Sequence, residues 1–448
     1  FHRYSTDSHW LVPHFEKMLY DQAMLAMAYI ETYQATGIEE FEETAKEVFT
    51  YVLRDMTDQK GGFYSAEDAD SEGVEGKFYV WTEDEIRLAL KGDEADLIIN
   101  VYSIDKTGNF RDEVSGENTG ANILHLDKSL TEVAFKNKES VDGLKERVEV
   151  ARQKLFDIRN KRIHPHKDDK ILTDWNGLMI AALAKGAQAF DEPKYAEAAK
   201  RAADFILTGM RREDGRILHR YRDGHTAILA NADDYAFLIW GLLELYETVF
   251  DVDYLQAALD LNSEMIKYFW DEQDGGFYFT ADDAEELIVR QKEIYDGAIP
   301  SGNSVAVSNL FRLARITANT DFEDKANKIM LAFSKDVESA PSGYTQMMIA
   351  LGFGIGPSYE IVIVGNPEAE DTKEMLASLG KHFIPYKVVL LKRDDQETAD
   401  ITSIAEYTEY HSSFEGKATA YVCLDFACKM PVTNTEEMLK LLNVSQIK

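Results

Sequence analysis

Side chains able to move protons recur at the heads of apolar segments in this 448-residue chain. Asp174 stands before Trp175 and Asn176, and the pair Asp233-Asp234 stands before Tyr235. A carboxylate beside an aromatic face suits a sugar ring, whose C–H groups stack on the aromatic while its hydroxyls bond the carboxylate. Acid–base chemistry on a sugar needs two groups with separated pKa values on opposite sides of the reacting carbon. Two carboxylates would serve hydrolysis, and two histidines would serve epimerisation. The acid–base candidates are His14, His166, Asp174, Asp233 and Asp234. Candidates for holding a substrate are His2, Arg3, Glu16, Lys17, Asp21, Asp68, Asp70, Trp175, Asn176, Tyr235, Asp296, Ser301 and Asn303. Trp175 and Tyr235 would stack, and Arg3 and Lys17 would hold charge.

Simpler roles compete with these. An aspartate at a helix head can be an N-cap accepting a backbone N–H. Ser301, in Pro300-Ser301-Gly302-Asn303-Ser304, lacks the G-x-S-x-G nucleophile elbow and reads as a helix-start cap. His164, His166 and Asp168 would share one face of an extended strand. No helical H-x-x-x-H motif accompanies them, and no metal is expected. A single Val-Gly-Asn turn, without a Gly-rich fingerprint, gives no reason to expect a nucleotide cofactor.

The elements that must position these groups follow from the apolar pattern. His2-Arg3-Tyr4 recurs as His219-Arg220-Tyr221, and Gly61-Gly62-Phe63-Tyr64 recurs as Gly275-Gly276-Phe277-Tyr278 at nearly the same offset. A carboxylate at the head of an apolar segment sits between the tags, Asp21 in one copy and Asp233-Asp234 in the other. Segments 15–33, 178–190, 235–246 and 305–316 are apolar on nearly every face. Each is followed by an amphipathic partner, at 41–56, 195–210, 254–270 and 322–337. A helix apolar all round is buried on all sides, whereas an amphipathic one keeps a wet face. Short connections between the two kinds describe two concentric layers. The expected fold is mainly α, a closed (α/α)6 toroid, six hairpins being the common size, with an open α-solenoid as the competing geometry. In a toroid the loops before the inner helices gather at one end and would bring the candidate groups to a common funnel. The toroid is expected over 1–356. An insertion at about 72–140 holds a strand-like stretch at 77–81 and a helix capped by Thr82 with Glu85. Residues 357–448 read as a small α/β domain: a β-branched strand at 360–365, a helix at 372–382, then strands at 386–391 and 420–424.

Charge and composition narrow the partners. Eighty Asp and Glu against 48 Lys and Arg give a net charge of −32, which argues against nucleic acid and anionic membranes. No apolar run approaches the length of a membrane span. Cys423 and Cys428 fit neither a C-x-x-C redox pair nor a zinc site, and a reducing, cytoplasmic setting is the default expectation. The chain begins at Phe1 without Met and reads as a cut through a longer pattern.

The segments His2-Arg3-Tyr4-Ser5, 12–22, Leu172–Leu178, Asp296-Gly297 with 300–304, and Ala418–Cys423 resemble the thioredoxin-domain-containing family that includes spermatogenesis-associated proteins and bacterial YyaL-like proteins. The resemblance runs from Phe1 to about Pro431. It implies a six-hairpin toroid similar to that of N-acylglucosamine 2-epimerases and many glycoside hydrolases. It also implies a preceding thioredoxin-like domain and first helical hairpin, neither of which has residues here; the toroid would then lack one hairpin. The expected function is a carbohydrate-active or sugar-binding funnel with epimerase-like or hydrolase-like chemistry. The alternative is a non-catalytic scaffold working with a thioredoxin-like domain. The expected partner is a small sugar-like molecule, and no cofactor is expected.

Overall fold

The computed structural model describes residues 1–111, 116–285, 287–394 and 401–444. The chain divides into two compact units: residues 1–18 with 66–168, and residues 19–65 with 169–448.

The first unit has its own apolar core, in which Trp81, Ile86, Ile98, Leu144 and Leu155 are buried together. Helices Glu83–Ala89, Asp93–Val101, Leu130–Asn137 and Val141–Arg159 supply much of it. Thr82 and Glu85 form the capping box that their spacing implies. Lys17–Met18, Ala66–Glu67 and Lys167–Asp168 make a three-stranded antiparallel sheet. Two expectations are corrected here. The first apolar helix does not begin at Phe15, because the Phe15 N–H is taken by Glu75 (3.1 Å) and Lys17–Met18 pairs as strand. The strand-like stretch at 77–81 pairs only at Trp81, because Tyr79 and Val80 donate back to the Gly76 carbonyl as a turn.

The second unit is mainly α, built as the α/α toroid pattern requires. Four buried helices, Leu19–Thr36, Thr173–Phe190, Ala232–Val249 and Gly302–Thr317, are each followed by an amphipathic partner: Glu39–Asp55, Pro193–Gly209, Val252–Phe269 and Thr320–Ala332. A fifth buried-face helix, Thr345–Ile355, follows them. The buried helices pack in sequence, first on second through to fourth on fifth. The second and third come closest. A Cβ on Gly177 would lie 2.4 Å from the Phe237 backbone, so only glycine admits that approach.

The repeated Gly-Gly-Phe-Tyr tags have a structural role. In one copy the Asn176 amide oxygen accepts from the Phe63 N–H (2.7 Å), while its nitrogen donates to the Phe63 and Leu172 carbonyls. In the other, Asn303 accepts from Phe277 N–H (2.7 Å) and donates to the Phe277 and Glu293 carbonyls. The loop after an outer helix is thus clamped by an asparagine at the head of the next buried helix. The amides of Asn176 and Asn303 are saturated by backbone, which corrects their assignment as substrate contacts.

The chain ends in a four-stranded sheet. Tyr359–Gly365 is central, parallel to Lys387–Arg393 and antiparallel to Thr419–Leu424, with Ala427–Cys428 at the edge. Helix Glu370–Lys381 packs on this sheet and on the second buried helix. Cys423 and Cys428 face each other across the last antiparallel pair and form a disulfide. A tight hairpin register joins two cysteines whose spacing matched no known motif. Among the described residues no helix is long and apolar enough to cross a membrane.

Removing the clamp tests this account. Asn176→Ala leaves the Phe63 N–H and C=O buried without partners, at about 1–3 kcal/mol per group. Urea unfolding should show a loss of about 2–4 kcal/mol; a change under about 0.5 kcal/mol would contradict the clamp.

Candidate functional site

The site is built at the N-terminal ends of buried helices. These ends carry backbone N–H groups with no partner in their own helix and a partial positive charge. Carboxylates of neighbouring segments supply acceptors for them. Asp234, on the third buried helix, is 1% exposed. It accepts from its own cap residue, Asn231 N–H (2.8 Å), and from Asp174 N–H (3.0 Å) on the second buried helix. It also bonds His219 Nδ1 at 2.9 Å. Its neighbour Asp233 turns the other way and accepts from the Gly302 N–H of the fourth buried helix. Asp296 does the same one step on, accepting from Ser301 N–H (2.9 Å) and from Gln346 and Met347 N–H at the head of the fifth.

These aspartates therefore cap neighbouring helices, and the cluster around Asp234 acquires unusual protonation as a result. Burial, then the charge of Asp234, raises the Asp174 carboxyl well above its ordinary range. Burial, then Asp234, lifts Asp233 to about 7. Burial by itself would lower His219, but the hydrogen bond and charge of Asp234 outweigh it and raise the imidazole to about 9. At neutral pH the site holds an imidazolium on the Asp234 carboxylate, with Asp233 near its midpoint. The His219 side chain is 22% exposed, and its Nδ1 is the nitrogen engaged with Asp234, leaving Nε2 as the second ring nitrogen.

Asp174, His219 and Asp234 also bring three possible ligand atoms within 4.8 Å of one another. An ion there would have to displace the proton between His219 and Asp234. The metal set considered from sequence is not assembled: His164 Nε2 bonds the Asn160 carbonyl (3.2 Å) and its ring lies on Phe78.

The other candidates divide by unit. His2, Arg3, His14, Glu16, Lys17, Asp68, Asp70 and His166 belong to the first unit. His2 is packed against the Phe15 and Tyr79 rings, and burial followed by the Lys17 charge lowers it to about 3, so it stays neutral. Arg3 pairs with Glu16 at 3.1 Å. His14 is held between Glu75 (2.8 Å) and Glu16 (3.6 Å). Lys17 lies over the Tyr79 ring. His166, Asp68 and Asp70 are exposed. No bond or ring contact among the described residues joins His14 to His166. In the second unit, Asp21 is half-buried in the first turn of its helix. Trp175 is half-buried with its ring against Tyr20. Tyr235 is wholly buried, its hydroxyl bonding Arg216 and Glu264; it cannot be a stacking wall, a correction that follows from the helix rotation that points Asp234 inward. Ser301 caps its helix by accepting from Ser304 N–H. His219 was legible only as the second copy of the His-Arg-Tyr tag, and nothing in that tag named Asp234 as its partner.

No family model matches the chain. It is 35% identical over 470 aligned positions to spermatogenesis-associated protein 20 of Homo sapiens, an alignment covering 99% of this chain and 60% of that protein. The chain thus spans about 60% of the length of that curated relative. Among solved structures, an α-mannanase of Bacteroides thetaiotaomicron is 13% identical, covering 71% of this chain and 62% of its own, with a TM-score of 0.39. A cellobiose 2-epimerase of Bacillus thermoamylovorans is 12% identical, covering 79% and 64%, also at 0.39.

The protonation pattern sets a pH dependence. Asp233 rises from an ordinary 3.8 to about 7. Between those values the folded chain keeps a proton that the unfolded chain has lost, so stability falls as pH rises through that window. His219 rises from 6.5 to about 9; its contribution is complete below 6.5 and is lost as pH climbs through 9. Asp233→Asn should therefore be more stable than the parent at pH 8, by about 1–3 kcal/mol of unfolding free energy, and show no gain at pH 4. Equal differences at both pH values would refute the assignment.

Proposed function

We propose that the Asp174–His219–Asp233–Asp234 cluster performs acid–base chemistry on a small, hydroxylated, sugar-like molecule, in the manner of an epimerase or isomerase. The observation that carries the reading is the buried Asp234 carboxylate on His219 Nδ1. That contact orients the ring and stabilises its charged form, leaving Nε2 to deliver a proton. His219 is the acid, and Asp233, titrating near 7, is the base. Asp234 is a positioning residue, and Asp174, whose protonated form burial favours, can donate to a substrate oxygen. Asp233 and His219 feel each other's charge, as two ends of one proton relay must. Half-buried Trp175 supplies an aromatic surface on the second buried helix, directly after Asp174.

A second reading is a non-catalytic scaffold that presents a partner to a thioredoxin-like domain in longer relatives. The observation in its favour is that Asp234, Asp233 and Asp296 all satisfy backbone N–H groups of neighbouring helices.

Solvent exchange separates the two. With a panel of mono- and disaccharides in D2O, proton transfer at carbon would place deuterium on the sugar, read by NMR. Hydrolysis alone would release a reducing end without exchange. The rate should peak between about pH 7 and 9, where Asp233 is ionised and His219 is protonated. His219→Gln and Asp233→Asn should each lower it by about 100-fold or more. Turnover by neither route across the panel, from a folded chain, would favour the scaffold.

A further inference from the structure

All five buried helices line a second cavity, of about 320 Å³, formed by the middle and C-terminal turns of the first four and by Gln346, Ile349 and Phe353 of the fifth. Residues 383–387, leading into the Lys387–Arg393 strand, complete the lining. The volume is at the small end of ligand pockets and suits a molecule of monosaccharide size.

Its charges are unevenly shared. Arg312 bonds Glu244 (2.7 Å) and Glu247 (2.8 Å). Lys185 pairs with Glu31 (3.0 Å) and lies 3.9 Å from Glu244. The three carboxylates of the wall are thus allotted to two cations. Lys387 is the third cation of the lining, and among the described residues its ammonium has no hydrogen-bond or ion-pair partner. Buried Arg312 Nε also lacks an acceptor. Cations left without acceptors inside a protein cost free energy that an incoming anion recovers. Burial lowers the Lys387 pKa, with Glu247 opposing, and burial raises Glu247. Trp240 adds a flat surface fixed by its Nε1–H on Glu244 (3.2 Å), and Ser308 and Gln346 add hydroxyl and amide groups.

We propose that this cavity is a second binding site, distinct from the Asp174–His219–Asp234 cluster, for a small hydroxylated molecule carrying one acid group, with Lys387 on the carboxylate or phosphate and Trp240 against the carbon skeleton. The acid group is the shared chemistry, and a sugar acid or a sugar phosphate supplies it equally.

Calorimetric titration of the whole chain with glucuronate, glucose 6-phosphate and neutral glucose tests the site. At least one anion should bind ten times or more tighter than glucose, and comparison of the two anions identifies the acid group. Lys387→Gln should weaken that anion at least tenfold, and Lys387→Arg should hold it within about threefold. Asp233→Asn should leave it unchanged, so failure here is separable from failure of the acid–base reading. Should Lys387→Gln not fold, acylation of the unmodified chain, mapped by mass spectrometry, gives the same answer: the anion should slow modification of Lys387 at least fivefold relative to surface lysines. Absence of anion binding, equal binding of glucose, unaltered binding by folded Lys387→Gln, or unprotected Lys387 would each overturn the proposal.

Discussion

One carboxylate, that of Asp234, holds together the part of the molecule on which the rest depends. It is almost wholly buried, yet it serves its own helix through Asn231 N–H, the preceding buried helix through Asp174 N–H, and the strand Leu218–Arg222 through His219 Nδ1. The reason is a constraint on any bundle whose inner helices begin away from water. Their first N–H groups have no intrahelical acceptor, and an unmet buried donor costs about as much as several good apolar contacts gain. Here the acceptors come from the neighbours. Adjacent Asp233 and Asp234 project to opposite sides, to the fourth and second buried helices, and Asp296 links the fourth and fifth.

The same solution creates the chemistry. Carboxylates gathered at one end of the bundle repel one another and are poorly hydrated, so their protons bind tightly; the histidine beside them is held charged. Stability and reactivity thus share atoms. A group strained toward proton exchange near neutral pH is what acid–base catalysis uses, but here it arises from the need to cap helices.

Asp174, Asp233 and Asp234 lie in the first turns of their helices, whereas the later turns carry Lys185 and Arg312 together with Glu31, Glu244 and Glu247. At that second cavity the terminal sheet contributes Lys387, and Glu244 is held down to about 2 because the charges of Arg312 and Lys185 outweigh its desolvation. The first cluster is built from aspartates and one histidine, and the second from three carboxylates interleaved with three cations.

Much of this was legible without coordinates. The alternation of all-apolar and amphipathic segments marked four buried helices and their partners within a few residues, because burial leaves its period in the local sequence. The β-branched strands near the C-terminus were equally plain. The paired tags showed that a unit repeats. Which donor each carboxylate meets was decided only in three dimensions, since hydrogen-bond partners are chosen by packing between residues distant in the chain. Hence Asn176 and Asn303 clamp backbone, Tyr235 faces the outer layer, Asp234 finds His219, and Cys423 meets Cys428 across a hairpin. Composition and periodicity record how deep a residue lies; they carry no record of what lies opposite it.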